Sequence, residues 1–394
     1  MKEKAGLIQS VGNFLFMLLV LVFVVDPTST IFGVKNVVFA LLFLYSLVFF
    51  KVDWSKLVYF LIPVIAVTLS WILALIRGHH VDADALKDIY IAFVPLLMLL
   101  WIDHYNVIRL SVIPVTLAAL IVLLLFWLIF FFNQLEGPIY VYMGLHDDTI
   151  MMSNRVFLGV KLFCMYPKST AAFLPVFGYA LYNSLRNPKG RIMNIIITFV
   201  LLHMFLISGT RSSVMLPVLL VGAIVMLYCR NGRYMRYIVY PAFLVFGILF
   251  FLLLAMLLME ENEPSNMVKY AHLTSYKELF EQNPIYLILG QGPATEFYSA
   301  GFRRMTMQTE WTYLEFVRNY GVLCLPILYV IVRPMVTLLK LAGKNESTLA
   351  IALAYMIYLV IAGTNPLLLS STGMLVLLSA FSYAEHNKVG ESEK

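Results

Sequence analysis

The stretch Leu110–Phe132, LSVIPVTLAALIVLLLFWLIFFF, carries no charged side chain and is long enough to cross the roughly 30 Å hydrocarbon core of a bilayer as one helix. Phe14–Val25 and Ile238–Met259 read the same way, and comparable runs recur along the whole chain. The composition agrees: 61% of residues are hydrophobic and 13% charged, against roughly 45–50% and about 25% in a soluble domain. These features predict an all-α, polytopic integral membrane protein. The hydropathy runs place about twelve spans, near 7–25, 34–50, 57–76, 88–101, 110–132, 164–184, 192–207, 213–229, 237–259, 312–333, 348–363 and 371–384. Met1-Lys-Glu-Lys leads into an apolar run that ends at Asp26-Pro27 with no small-residue cleavage site, so it reads as the first span.

Charge sets the orientation. With the amino terminus in the cytoplasm, the inner loops carry Lys51/Lys56, Arg186/Lys189/Arg191, Arg230/Arg233/Arg236 and Arg333/Lys340/Lys344, as the positive-inside rule requires. Both termini then face the cytoplasm. Residues 1–394 read as a single transmembrane domain, with long outer loops near 133–163 and 260–311. The second holds a helical stretch at 265–281, then breaks at Asn283-Pro284 and Gly290-Gln-Gly-Pro293. Its aromatic content predicts a segment folded against the membrane.

Several arginines fall on the outer side, where topology does not call for them. Arg211 lies in Ser208-Gly-Thr-Arg-Ser-Ser213 at a span end, Arg155 in the first long loop, and Arg303 and Arg304 in the second. An arginine at a span end can simply snorkel to headgroups, but its planar fork also suits phosphate. Arg318 lies in the first turns of a span, where a cation needs a carboxylate or a ligand, and Glu315 is three residues away. Thr312-x-x-Glu315 fits a capping box, which leaves Glu310 before the helix and free to face a cavity. Asp82-Ala-Asp84 reads as two solvated acids near a helix start, and His79-His80 and His146-Asp147-Asp148 lack a second spaced ligand pair, so none carries a metal assignment. The three cysteines, Cys164, Cys229 and Cys324, are widely spaced and odd in number, which fits neither a metal site nor a disulfide framework.

Three segments together resemble the O-antigen polymerase (Wzy-type) family, within the superfamily that includes O-antigen ligases. They are Ser208–Ser213, the outer Asn283-Pro284…Gly290-Gln-Gly292 with Thr309–Gly321, and Thr364-Asn-Pro-Leu-Leu-Leu-Ser-Ser-Thr-Gly373. They cover the carboxy-terminal half; the first half matches only in hydropathy. The resemblance implies an inverting, metal-independent glycosyltransferase of the membrane-embedded GT-C type, without cofactor, in the bacterial inner membrane. Such an enzyme takes glycan from undecaprenyl pyrophosphate at the periplasmic face. Its partners would be the carrier-linked donor and acceptor, membrane lipid and a chain-length regulator, with no nucleic acid. In ligases a histidine stands three residues before the Tyr-Leu-Glu of the outer loop; here Glu310 does, which favours a polymerase. On this reading Glu310 is the base, with Asp147 and His146 behind it, and Arg211 and Arg303 stabilise the leaving pyrophosphate. Arg155, Arg304, Arg318, Tyr313 and Asn365 would bind pyrophosphate or glycan. A ligase acting on lipid A–core would use nearly the same site. A lipid-linked oligosaccharide transporter also fits the span count, although no internal repeat is visible.

Overall fold

The computed structural model describes residues 2–145, 149–157, 160–229, 264–343 and 345–392. The chain is mostly helical, as lipid demands of a backbone that must satisfy its own hydrogen bonds. In order come α1 (Lys2–Val25), α2 (Lys35–Phe49), α3 (Val58–Ile76), α4 (Ala83–Phe93) and α5 (Val107–Phe131). After these come α6 (Glu136–Leu145), α7 (Phe173–Arg186), α8 (Arg191–Ile207) and α9 (Arg211–Cys229). The carboxy-terminal part holds α10 (Pro264–Gln282), α11 (Thr312–Tyr320), α12 (Cys324–Ala342), α13 (Glu346–Gly363) and α14 (Ser371–Ser392).

Among the described residues, six helical segments are long and apolar enough to cross a membrane: Gly6–Val25, Trp54–Ile76, Val107–Phe131, Ser212–Cys229, Thr312–Ala342 and Glu346–Gly363. Lys35–Phe49 and Arg191–Ile207 are shorter apolar helices. The span expected at 237–259 lies outside the described residues. Large apolar side chains such as Val48, Leu124, Phe130 and Phe131 point outward from the bundle, an arrangement that suits lipid and not water. The inside is organised around α14, whose residues Met374–Leu378 are all buried. Gly178 of α7 lies so close to α13 that an added Cβ would come within 2.9 Å of the Ala354 Cβ, small residues letting the two backbones approach.

Two expected spans are built differently. The run read as 164–184 begins as a strand. β1 (Ile150–Phe157) and β2 (Val160–Pro167) form an antiparallel hairpin with Ile150 opposite Pro167, and helix resumes only at Phe173. A second, short hairpin joins β3 (Phe297–Ser299) to β4 (Arg304–Thr306), so the described residues hold a little sheet beside the mostly helical fold that the all-α reading expects. The run read as 88–101 is the amphipathic α4 followed by an eight-residue 3₁₀ stretch, Val94–Trp101. Most of that stretch is buried, including Leu96, Met98, Leu99 and Trp101.

Contacts sort the loops into two ends. At one, Lys56 pairs with Glu385 at 3.1 Å, Arg186 pairs with Glu346, and Asn345 donates to Asn387. These are loops the charge pattern assigns to one side. At the other, Ser371 donates to the Pro27 carbonyl, Asp82 N–H to Ala294, and Ser70 to the Asn319 carbonyl. This second end gathers α10, both hairpins and the segment 364–373.

Candidate functional site

The second end is held by one buried ion pair. Residues 315 and 318 are one turn apart on α11, so their side chains meet. Arg318 is fully buried and its guanidinium is fully engaged. Nε donates to Glu315 Oε2 (2.9 Å), Nη1 to Gln291 Oε1 (2.8 Å) and to the Thr295 carbonyl (3.0 Å), and Nη2 to the Met307 carbonyl (2.6 Å). The Phe297 ring lies 4.5 Å from its carbon. The other Glu315 oxygen accepts from the Tyr276 hydroxyl and from Thr309 N–H. Burial, and then the Glu315 carboxylate beside it, push the Tyr276 phenol well above its usual value. Every charge in the knot is matched, as a buried pair requires. A close backbone contact completes it: Gly321, at φ +53, would place a Cβ 2.2 Å from the Ile288 carbonyl.

Two expectations change here. Arg318 is a staple between α11 and the segment 291–307, with no donor left for substrate. The capping box does not form: Trp311 is the N-cap without a side-chain bond, and the Thr312 hydroxyl donates to the Asn365 carbonyl instead. Glu315 is drawn away from the helix end because a buried guanidinium and phenol compete for it.

The other candidates fall into separate places. Glu310 lies against Lys269 of α10, with Oε2 3.5 Å from the ammonium. Arg303 and Arg304 are exposed at the β3–β4 tip, Arg303 with a left-handed φ of +54 and Arg304 5.8 Å from the Phe302 ring centre. Phe302 in turn meets His272, one turn beyond Lys269, edge-on at 4.5 Å. Glu310 and the hairpin arginines therefore share one stretch of α10. Tyr313 spends its hydroxyl on the Leu359 carbonyl and its ring covers Gly363, while Asn365 Nδ2 donates to the Ile361 carbonyl. Both are used in packing, contrary to a binding role for those groups. Arg211 is the first residue of α9, and Arg155 lies opposite Leu162 in the first hairpin. The side chains of Arg211 and Arg155, and the residues His146 and Asp147, lie outside what the structure describes. Asp82 caps α4 by accepting from Ala85 N–H, so Asp82-Ala-Asp84 marks a helix start.

His272 is buried, with Nδ1 2.8 Å from the Ser299 hydroxyl and Nε2 without a partner. Burial pushes its pKa below the ordinary histidine value, against the pull of Glu310 and Glu315. Such a group takes a proton more readily in the unfolded chain. Its contribution to stability is complete above about pH 6.5 and is lost as pH falls through the folded value. Acidification from about pH 7.5 to about pH 5 should therefore loosen the β3–β4 hairpin from α10. Amide hydrogen exchange at 297–306, corrected for intrinsic rate, should rise while α12 stays protected; an unchanged hairpin would exclude His272 as the cause.

Sequence reasoning missed a groove. A cavity of about 440 Å³ is lined by Phe23, Thr28, Lys35, Phe39, Asp88 and Ser371, among others. Beside it, sharing Asp88 and Leu369, lies one of about 240 Å³ bordered by Gln308, Thr312, Glu315 and Asn319. A third, of about 230 Å³, shares Ala294 and Met307 with the second and reaches His79, His80 and Glu296. Separately, an apolar slot of about 190 Å³ runs between Val24, Phe32, Ile121, Leu125 and Ile150. One signal could have found Lys35: it is a basic residue at the outer end of the second predicted span, as unneeded by topology as the arginines.

The fold is that of a mostly helical protein with six helical segments long and apolar enough to cross a membrane among the described residues, and with one end built from hairpins and helix α10. No protein-family model, curated protein or solved structure matches the chain.

Proposed function

We propose that this chain is a surface-polysaccharide polymerase: a metal-independent, inverting glycosyltransferase at the outer face of a bacterial inner membrane. It would move a growing glycan from undecaprenyl pyrophosphate onto the distal sugar of a new carrier-linked repeat. One observation carries the reading. Two of the segments that resemble the O-antigen polymerases, Thr309–Gly321 and 364–373, are distant in sequence yet border one groove: Thr312, Glu315 and Asn319 come from the first, Pro366, Leu369 and Ser370 from the second. Volumes of this order suit small-molecule sites, which run about 300–1,000 Å³. The separate slot between Val24, Phe32, Ile121 and Leu125 is lined mainly by apolar side chains, as a prenyl chain requires.

In the reaction, an acceptor hydroxyl oxygen bonds to the anomeric carbon of the donor. The bond from that carbon to the phosphate oxygen breaks, its electron pair stays on the pyrophosphate, and the hydroxyl proton passes to a base. Charge grows on the leaving group, so fixed cations aimed there stabilise the transition state more than the ground state. Arg211 opens α9, where the helix dipole already favours an anion, and a guanidinium added there makes a strongly positive end. The hairpin arginines Arg303 and Arg304 supply further mobile-reach cations. A chain-length regulator is a partner the family likeness brings with it.

The test uses the purified chain with one synthetic undecaprenyl-pyrophosphate repeat and no lipid A–core, products being resolved by size. The expected result is a ladder. Transfer only after lipid A–core is added would make the chain a ligase, and no transfer under either condition by folded protein would favour a transporter.

A further inference from the structure

The groove borders on several carboxylates, and their environments separate them. Asp26, at the first turn beside the large cavity, is fully buried and accepts from Thr30, Ile31 and Phe32 N–H, so it organises its own loop. Glu315 is saturated by Tyr276, Thr309 and Arg318. Asp82 is the α4 cap, and Glu296 borders the third cavity alone among the three. Glu310 lines none of the three and faces Lys269. Asp88 differs from all of these. It is exposed on α4, forms the shared wall of the two larger cavities, and no hydrogen bond or ion pair to a described residue ties up its carboxylate.

The surroundings of Asp88 suit a carbohydrate. Thr28, Asn36, Ser370 and Ser371 offer hydroxyl and amide groups, and Phe23 and Phe39 add apolar surface of the kind the C–H groups of a sugar pack against. Lys35 brings a cation into the same cavity. One of its three donors goes to the Pro27 carbonyl at 2.9 Å, which leaves two for a ligand. A lipid tail alone would have no use for this polar lining, and the apolar slot already provides for one.

We infer that the cavity between α1, α2 and α4 holds the acceptor sugar, with the Asp88 carboxylate as the base that takes the proton from the attacking hydroxyl and Lys35 as the residue that positions the sugar. This rests on the polymerase reading. The oxygen of the acceptor hydroxyl forms the new bond to the anomeric carbon as its proton moves to Asp88, and the donor's pyrophosphate leaves with the electron pair. The proton then passes from Asp88 to water at the open groove, which restores the carboxylate.

The experiment reconstitutes the full chain in liposomes with lipid extract from cells that lack it, in which single carrier-linked repeats accumulate. Elongation is followed on gels. Asp88→Asn should lower the elongation rate by about 10²–10⁴-fold, the usual contribution of a general base. Its denaturation midpoint should be unchanged, because the side chain has no structural bond to lose. Asp88→Glu should restore part of the rate. Lys35→Met should raise the acceptor KM several-fold with a smaller change in kcat. Asp84→Asn, on the same helix, is the control and should elongate normally. Elongation at the wild-type rate by Asp88→Asn would overturn the assignment, most clearly if Glu310→Gln or Glu296→Gln then lost it. A folded wild-type chain that builds no ladder would remove the polymerase reading itself, and the role of Asp88 with it.

Discussion

Arg318→Ala is expected to cost the chain about 3–5 kcal/mol, the usual penalty for removing one partner of a buried ion pair. Glu315 would remain buried with no counter-charge, and the Gln291, Thr295 and Met307 acceptors would lose their donor. Arg318→Lys should recover little, because an ammonium cannot serve a fork of acceptors on three sides. The measurement is the denaturation midpoint in detergent, with limited proteolysis across 283–311. The segment 283–311 should become cleavable, since its anchor to α11 is gone. A variant that keeps its midpoint and its protease resistance yet fails in transfer would return Arg318 to a substrate role.

Arg211→Ala should give the opposite pattern: a folded chain that transfers poorly. Loss of one fixed donor to a developing anion typically lowers kcat by about 10²–10³-fold, and Arg303→Ala should fall in the same range. Lysine at 211 should not restore activity where two phosphate oxygens are gripped by one planar fork. Single-turnover transfer from the carrier-linked donor reads this directly. Normal product from both alanine variants would dismiss the pyrophosphate clamp.

The helices were legible where a single signal ruled. The stretch expected at 265–281 is α10, Pro264–Gln282, because it is bounded by Asn283-Pro284. The run 110–132 is α5 within a few residues. The Arg318–Glu315 contact was legible from spacing alone. What failed was hydropathy without period. The sequence KLFCMYP, 161–167, is a mostly apolar run read as the edge of a span, but it pairs as a strand. The remaining Arg318 partners, Gln291, Thr295 and Met307, come from a segment whose path the chain fixes only on folding. The groove was illegible for the same reason: Lys35, Asp88 and Ser370 lie on three distant parts of the chain. Their meeting depends on long-range packing that no local pattern encodes.

The winding of Val94–Trp101 sets a length. A 3₁₀ turn rises about 2.0 Å per residue against about 1.5 Å for an α-helix, so eight residues so wound reach about 4 Å further. The lower end of this stretch is fixed by the bond from Asp53 N–H to the Leu100 carbonyl, and the start of α4 by Asp82 N–H on Ala294. Between these anchors the tighter coil acts as a spacer. It joins the Asp53 contact to α4, the helix on which Asp88 borders the groove.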